Sequence, residues 1–382
     1  MMFGMHPVAR LRLAFRSGIL VLVAGCAGVA PSVEEMAARQ FKPAASEADR
    51  EEAEARTKSA MLRFEEEQYG AAEVEARAAL ALDMRNARAR ALLASSMLLG
   101  SGETVPIPLA VEREAEGESR SAVLLAPGDP FVGLAHARIL ASSGHLTAAS
   151  AAAEACLTAA STDRSSEREA LVAAAAEWTF ELGEDRRAIA HLRELAALRP
   201  SEATTHHRLG LCLLRTATDA DGAMAASHAF SRCADLEPDD PDSHLAAVKA
   251  MLRAAALDPK KPSLAADAAI ELASAVETKF AQSAEASFLV GAARDAKAPM
   301  SKAAIEAYGR ALVRDPDHLP SLLRLVAITV RASNSETQTE PVSPSVPALP
   351  ELAARAIEVG AKTGALDDKE RAQLAALRDA KR

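Results

Sequence analysis

The sequence predicts an all-α protein built from repeated helix hairpins, and three observations predict it. About 90 of the 382 residues are Ala, the best helix former, while the aromatic residues are only Phe 9, Tyr 2 and Trp 1; strands draw on aromatic and β-branched residues instead. A phrase of a small residue, an apolar residue, Leu and often Pro recurs along the chain. Hydrophobic residues make up 49 % and charged residues 25 %, which over this length supports a folded core and excludes disorder as the main state.

Residues 1–25 carry Arg10, Arg12 and Arg16 and no acidic residue, followed by the apolar run Ile19-Leu20-Val21-Leu22-Val23-Ala24. This is the layout of a secretory signal peptide. Arg16 confines the apolar or small stretch to residues 17–30, short of the roughly 20 residues that a spanning helix needs. The run ends in Val23-Ala24-Gly25-Cys26, which resembles the bacterial lipobox. That resemblance implies cleavage before Cys26, a diacylglycerol on its thiol and a stable anchor from several acyl chains. Ala27 stands where an Asp would favour inner-membrane retention. The expectation is therefore a cell-envelope protein anchored in the outer membrane and facing the periplasm, with residues 26–45, which include Pro31 and Pro43, as lipidated Cys and flexible tether.

Beyond the tether the recurring phrase appears as Ala79-Leu80-Ala81-Leu82-Asp83-Met84, Ala122-Val123-Leu124-Leu125-Ala126-Pro127, Cys233-Ala234-Asp235-Leu236-Glu237-Pro238 and Ala311-Leu312-Val313-Arg314-Asp315-Pro316. A divergent copy closes at Leu198-Arg199-Pro200. The terminal positions lie 43, 73, 38 and 78 residues apart, which is one, two, one and two periods of about 34 with short insertions.

That period and phrase resemble the tetratricopeptide repeat, in which two helices form a hairpin closed by Ala-Leu-x-Leu-x-Pro. Residues 284–316 match best, with Gly291, Ala304, Tyr308 and Ala311 before Pro316. Residues 130–163 follow with Ala137, Gly144, Leu146, Ala149 and Cys156, Asp129 being placed to cap the helix and Pro130 to start it. A further unit carries Leu209-Gly210, a four-residue excess near Asp219–Gly222, then Ala226, Phe230 and Cys233. The resemblance implies a right-handed superhelical solenoid of antiparallel hairpins over residues 46–332, about seven of them, opening near residues 53, 87, 130, 169, 203, 241 and 284. A last helix runs from Leu319 to about Val330. Ser46-x-x-Asp49 and Ser166-x-x-Glu169 read as capping boxes, and Pro259 and Pro262 stretch the sixth turn. Residues 333–350, with Pro341, Pro344, Pro347 and Pro350 among Ser and Thr, read as a linker that buries no core. Residues 351–382 return to helical spacing, and either cap the solenoid or dock elsewhere.

The formal charge of −9 supplies no basic footprint, and the scarce aromatics no stacking platform, so nucleic acid is set aside as a partner. No phosphate-cradling Gly loop, HExxH, GxSxG or CxxC pair occurs. Cofactors, metal and a small-molecule substrate are accordingly not expected. His206, His207, His228 and His244 fall in adjacent repeats, but His206 and His207 point about 100° apart on a helix and no Cys or second carboxylate stands at a ligand spacing. Glu65-Glu66-Glu67 and Asp239-Asp240 sit at turns, where charge is ordinarily solvated. Cys156, Cys212 and Cys233 lie on apolar helical stretches and read as core.

Such a solenoid offers a concave surface lined by the first helix of each hairpin. The family's groove positions, carried over by register, are Arg138, then Glu177, Phe180 and Glu181, then His207 and Arg215, then Lys249 and Arg253. Their cations suit a carboxylate or acidic peptide segment. The resemblance implies a noncatalytic protein-binding scaffold of the envelope, assisting secretin and pilus or outer-membrane protein assembly. An adaptor for peptidoglycan synthases or hydrolases is the alternative within binding proteins, and an enzyme domain hidden in divergent repeats is the alternative of another class.

Overall fold

The computed structural model describes residues 45–101, 107–160, 165–258, 262–333 and 347–379. The expected signal peptide, the lipobox with Cys26, and the tether before residue 45 lie outside them. So do residues 259–261 of the sixth turn and residues 334–346 of the Pro-rich segment.

The described residues form 17 helices and no strand. They pair in sequence as α1 (Glu47–Glu65) with α2 (Tyr69–Leu82), α3 (Ala87–Gly100) with α4 (Leu109–Leu125), α5 (Pro130–Ser142) with α6 (Leu146–Ala159), and α7 (Ser166–Glu181) with α8 (Asp185–Leu198). There follow α9 (Ala203–Thr216) with α10 (Ala220–Leu236), α11 (Pro241–Leu257) with α12 (Pro262–Lys279), and α13 (Ala284–Lys297) with α14 (Lys302–Arg314). Next come α15 (Leu319–Ser333) with α16 (Leu349–Thr363), and α17 (Asp368–Asp379) packs on α16. Each odd-numbered helix from α1 to α15 is the first of its hairpin. First helices also touch one another along the stack, α1 on α3, α3 on α5, α5 on α7 and α11 on α13, which puts them on the inside of the curve.

Capping side chains place the helix starts. Asn86 accepts from the Ala89 N–H at 2.9 Å, Asp129 from Phe131 at 3.0 Å, and Asp219 from Gly222 at 2.8 Å, each satisfying a donor with no partner inside the helix. The four-residue excess near Asp219 becomes the first turn of α10, which is 17 residues long. Five hairpins open at the expected residues 87, 130, 203, 241 and 284. Two open earlier. Ser46 caps α1, so that hairpin begins at Glu47 rather than near 53. The fourth begins at Ser166 rather than 169, because Ser165, one residue before the expected cap, accepts from Arg168. Glu169 then bonds Arg199 instead of closing a capping box.

Inside hairpins the turn takes a left-handed residue. Glu67, Gly144 and Gly183 have φ of 59°, 78° and 71°, and the following N–H groups of Gln68, His145 and Glu184 reach back to the carbonyls of Arg63, Leu140 and Thr179 at 2.8–2.9 Å. These 6→1 bonds are Schellman closures.

Ala dominates the core, a ribbon of clusters running the length of the stack. Small residues let helices close on large ones: a Cβ on Gly291 would stand 2.6 Å from the Tyr308 ring, and one on Gly210 would stand 2.8 Å from Phe230. Cys156, Cys212 and Cys233 are buried and form no disulfide.

An eighth hairpin follows the seven expected. Leu322, Leu325 and Ile328 of α15 pack with Leu352, Ala356 and Val359 of α16, and Leu366 and Leu374 close the cluster. The segment from residue 351 thus continues the stack, with α16 opening at Leu349, and ends it with α17, on which only Leu374 is buried.

Candidate protein-binding groove

The inner helices carry the candidate residues. Arg138 on α5 and Glu177 and Glu181 on α7 are exposed, and among the described residues none has a charged partner within 4 Å. Phe180 is half-buried with two guanidinium groups on its ring, that of Arg208 at 5.5 Å and that of Arg215 at 5.2 Å. His207 packs edge-on against Phe230, with ring centroids 5.5 Å apart. Arg253 on α11 is exposed and without an ion-pair partner among the described residues.

Two expected groove cations are engaged by the protein itself. Arg215 bonds Asp185 through Nε and Nη2, at 2.9 Å to Oδ2 and 2.5 Å to Oδ1, and this holds the Asp185 carboxyl below its ordinary range. Arg215 therefore bridges α9 to the start of α8. Lys249 contacts Glu285 at 2.8 Å. Glu285 also accepts from His318 Nε2 at 2.9 Å, so the three residues link α11, α13 and the residue preceding α15. The His318 hydrogen bond, with Lys249 behind it, lowers the Glu285 carboxyl to about 2. Register alone does not show these carboxylates, because they come from neighbouring hairpins.

Three clefts open along the first helices; one, of about 750 Å³, lies among Arg50, Lys58, Arg88 and Phe131, and the other two meet at Arg138. The first of these two, of about 260 Å³, is lined by Phe64, Leu98, Leu99, Ile107, Phe131, Leu134 and Ile139 from the first three hairpins, with Arg138 as its one charged residue. The second, of about 600 Å³, brings Arg138 together with Glu177, Arg199, Glu202, Thr204, Thr205 and Arg208. Arg138 is the shared wall. The apolar cleft was hidden in the sequence, since Leu and Phe on a helix read equally well as core; Leu99, which is 51 % exposed, gives it away only in three dimensions. Arg208 also escaped the register count, being the neighbour of a counted position.

The histidines have structural partners. His206 donates to the Pro200 carbonyl at 3.2 Å and His244 to the Pro238 carbonyl at 3.1 Å. Arg90 makes the same contact with Met84, at 2.9 Å from Nε. All three are the fourth residue of a first helix, reaching six residues back to the chain that closes the previous repeat. Among the described residues, no group of three His, Cys, Asp or Glu comes together as a metal site, and no helix is long and apolar enough to cross a membrane.

The stacked hairpins with small-to-large contacts at Gly210 and Gly291 define the class: a helical-repeat solenoid of the tetratricopeptide type. No family model matches the sequence, and no curated protein matches it. Among solved structures, a chain of the Naa15/Naa10 complex bound to HypK-THB aligns at TM-score 0.51 and 11 % identity, over 85 % of this chain and 50 % of that one. YrrB, described as a TPR protein with an unusual peptide-binding site, aligns at TM-score 0.39 and 16 % identity, over 54 % of this chain and 96 % of its own. PilF of Pseudomonas aeruginosa aligns at TM-score 0.40 and 15 % identity, over 63 % and 97 %. At such identities the likeness is one of fold.

Proposed function

We propose that this protein is a noncatalytic protein-binding scaffold, held to the outer membrane by a lipid on Cys26 and facing the periplasm, where it assists assembly of an envelope machine of the secretin and pilus or outer-membrane protein type. One observation carries the binding role: the inner face presents an apolar cleft and a polar cleft side by side, joined at the exposed Arg138. A preformed surface of this kind offers anchors for side chains and donors for a backbone. The envelope part of the reading rests on the basic and apolar residues 10–24 followed by Val23-Ala24-Gly25-Cys26.

The test is affinity purification of the intact protein and of Cys26→Ser from envelope extract, with mass spectrometry of what accompanies each. A secretin or a barrel-assembly component recovered with the intact form and lost with Cys26→Ser is the expected result. Recovery of a peptidoglycan synthase or hydrolase would move the reading to an adaptor for those enzymes. No specific companion in either form would overturn the scaffold.

A further inference from the structure

We infer that the groove between α3 and α9 takes an extended protein segment in which a large apolar side chain lies within two residues of an acidic one. This deepens the scaffold reading and rests on it. The first cleft is walled by Phe64, Leu98, Leu99, Ile107, Phe131 and Leu134. A space of about 260 Å³ accommodates one or two large side chains but not a helix, whose diameter with side chains is about 10–12 Å. An extended chain running from this cleft past Thr204 and Thr205 offers the side chains of one face at every second residue, about 7 Å apart.

Charge fixes the second requirement. Arg88, Arg215 and Lys249 on the same helix layer contact Asp129, Asp185 and Glu285. Arg138 contacts no carboxylate among the described residues, yet it is the one charged residue of the apolar cleft and a wall of the polar one. A carboxylate leaving the apolar cleft toward Arg208 meets the Arg138 guanidinium first, and a guanidinium binds a carboxylate through paired N–H donors. Thr204, Thr205 and Glu202 then line the path for the guest's backbone.

The experiment pans the full-length chain, in detergent, against a phage-displayed library of random linear peptides, and then measures a fluorescein-labelled peptide of the enriched sequence by anisotropy. Enrichment of Leu, Ile, Met or Phe within two residues of Asp or Glu is expected. Arg138→Glu should weaken the enriched peptide roughly tenfold, the loss of one charge-assisted hydrogen-bonded contact. Leu99→Ser should weaken it severalfold, and Lys302→Glu, exposed on α14 away from the groove, should leave it unchanged. Arg138 and Leu99 are exposed, so both variants keep the fold, as circular dichroism would verify. An enriched motif without an acid, or equal binding by Arg138→Glu, overturns the inference. Binding lost in Arg208→Glu but kept in Arg138→Glu and Leu99→Ser also overturns it, while leaving the scaffold reading in place. Dodecanoate bound by the wild type and released by Arg138→Glu, with no peptide enriched, makes the cleft a fatty-acid site and overturns both.

Discussion

His206 donates from Nε2 to the carbonyl oxygen of Pro200, six residues earlier, at 3.2 Å. The carbonyl only accepts, so the imidazole carries its proton on Nε2 at that contact. The bond ties the start of α9 to the chain leaving α8, and Arg90 shows that a guanidinium does the same work in another repeat. His206→Ala should cost about 1 kcal/mol of stability, the usual net worth of such a bond, whereas His206→Arg should cost little. Urea unfolding followed by circular dichroism compares the two, and equal losses would show that the contact carries no weight.

Gly291 faces the Tyr308 ring so closely that a methyl group would sit 2.6 Å from it. Gly291→Ala should therefore destabilise the protein by about 1–3 kcal/mol through overpacking, against the gain a helix ordinarily makes from that exchange. In the double variant with Tyr308→Leu the Ala penalty should largely disappear. Thermal unfolding of the four members of the cycle measures it.

Glu67 holds a φ of 59° in an exposed turn, the position that Gly144 and Gly183 occupy in later hairpins. A left-handed non-glycine residue costs about 1–2 kcal/mol, and the greater freedom of Gly in the unfolded chain returns part of that. Glu67→Gly should raise stability by roughly 0.5–1 kcal/mol, seen as a higher Tm.

Glu285 sits between His318 and Lys249, and its carboxyl is lowered from an ordinary 4.5 to about 2. A depressed carboxyl stabilises the fold above its unfolded value, and that contribution is lost as pH falls toward its folded value. Tm should accordingly drop between about pH 5 and about pH 2, and the slope should be shallower in Glu285→Gln. Identical slopes in the two proteins would remove this carboxyl from the account.

Cys156, Cys212 and Cys233 are at most 3 % exposed, and burial with Asp185 alongside pushes the Cys212 thiol up to about 11. A thiol reagent near neutral pH should label none of them in the folded protein and all three after unfolding. An acylated Cys26 would add no fourth thiol, whereas the uncleaved, unmodified chain would, so the same titration reports on the anchor.

Much of the fold was legible because caps and small residues announce it. Ser46 and Asp129 read as capping residues in the sequence and cap α1 and α5 in the structure. The first hairpin was set near residue 53 although its cap, Ser46, was read correctly, because apolar spacing is faint over its first turns, and the fourth was misplaced because Ser165 rather than Ser166 caps it. The eighth hairpin was not legible as one, because 15 residues of the Pro-rich stretch, 334–348, fall between α15 and α16 and break the period. In the groove, register placed Arg138 and Glu177 on the open face. It gave no sign that Arg215 and Lys249 were already paired, nor that Leu99 stands exposed beside the core residue Leu98 and the half-buried Phe64, because both facts depend on neighbours remote in the chain.

The contacts of Gly210 with Phe230 and of Gly291 with Tyr308 carry a consequence for descent. Each pair is 17–20 residues apart and occupies one volume, so a lineage that gains a side chain at the glycine must lose the ring, and a lineage that shrinks the ring is released to fill the glycine. The two positions are inherited as one unit, and divergent repeats in related chains should show them changing together while the exposed faces drift independently.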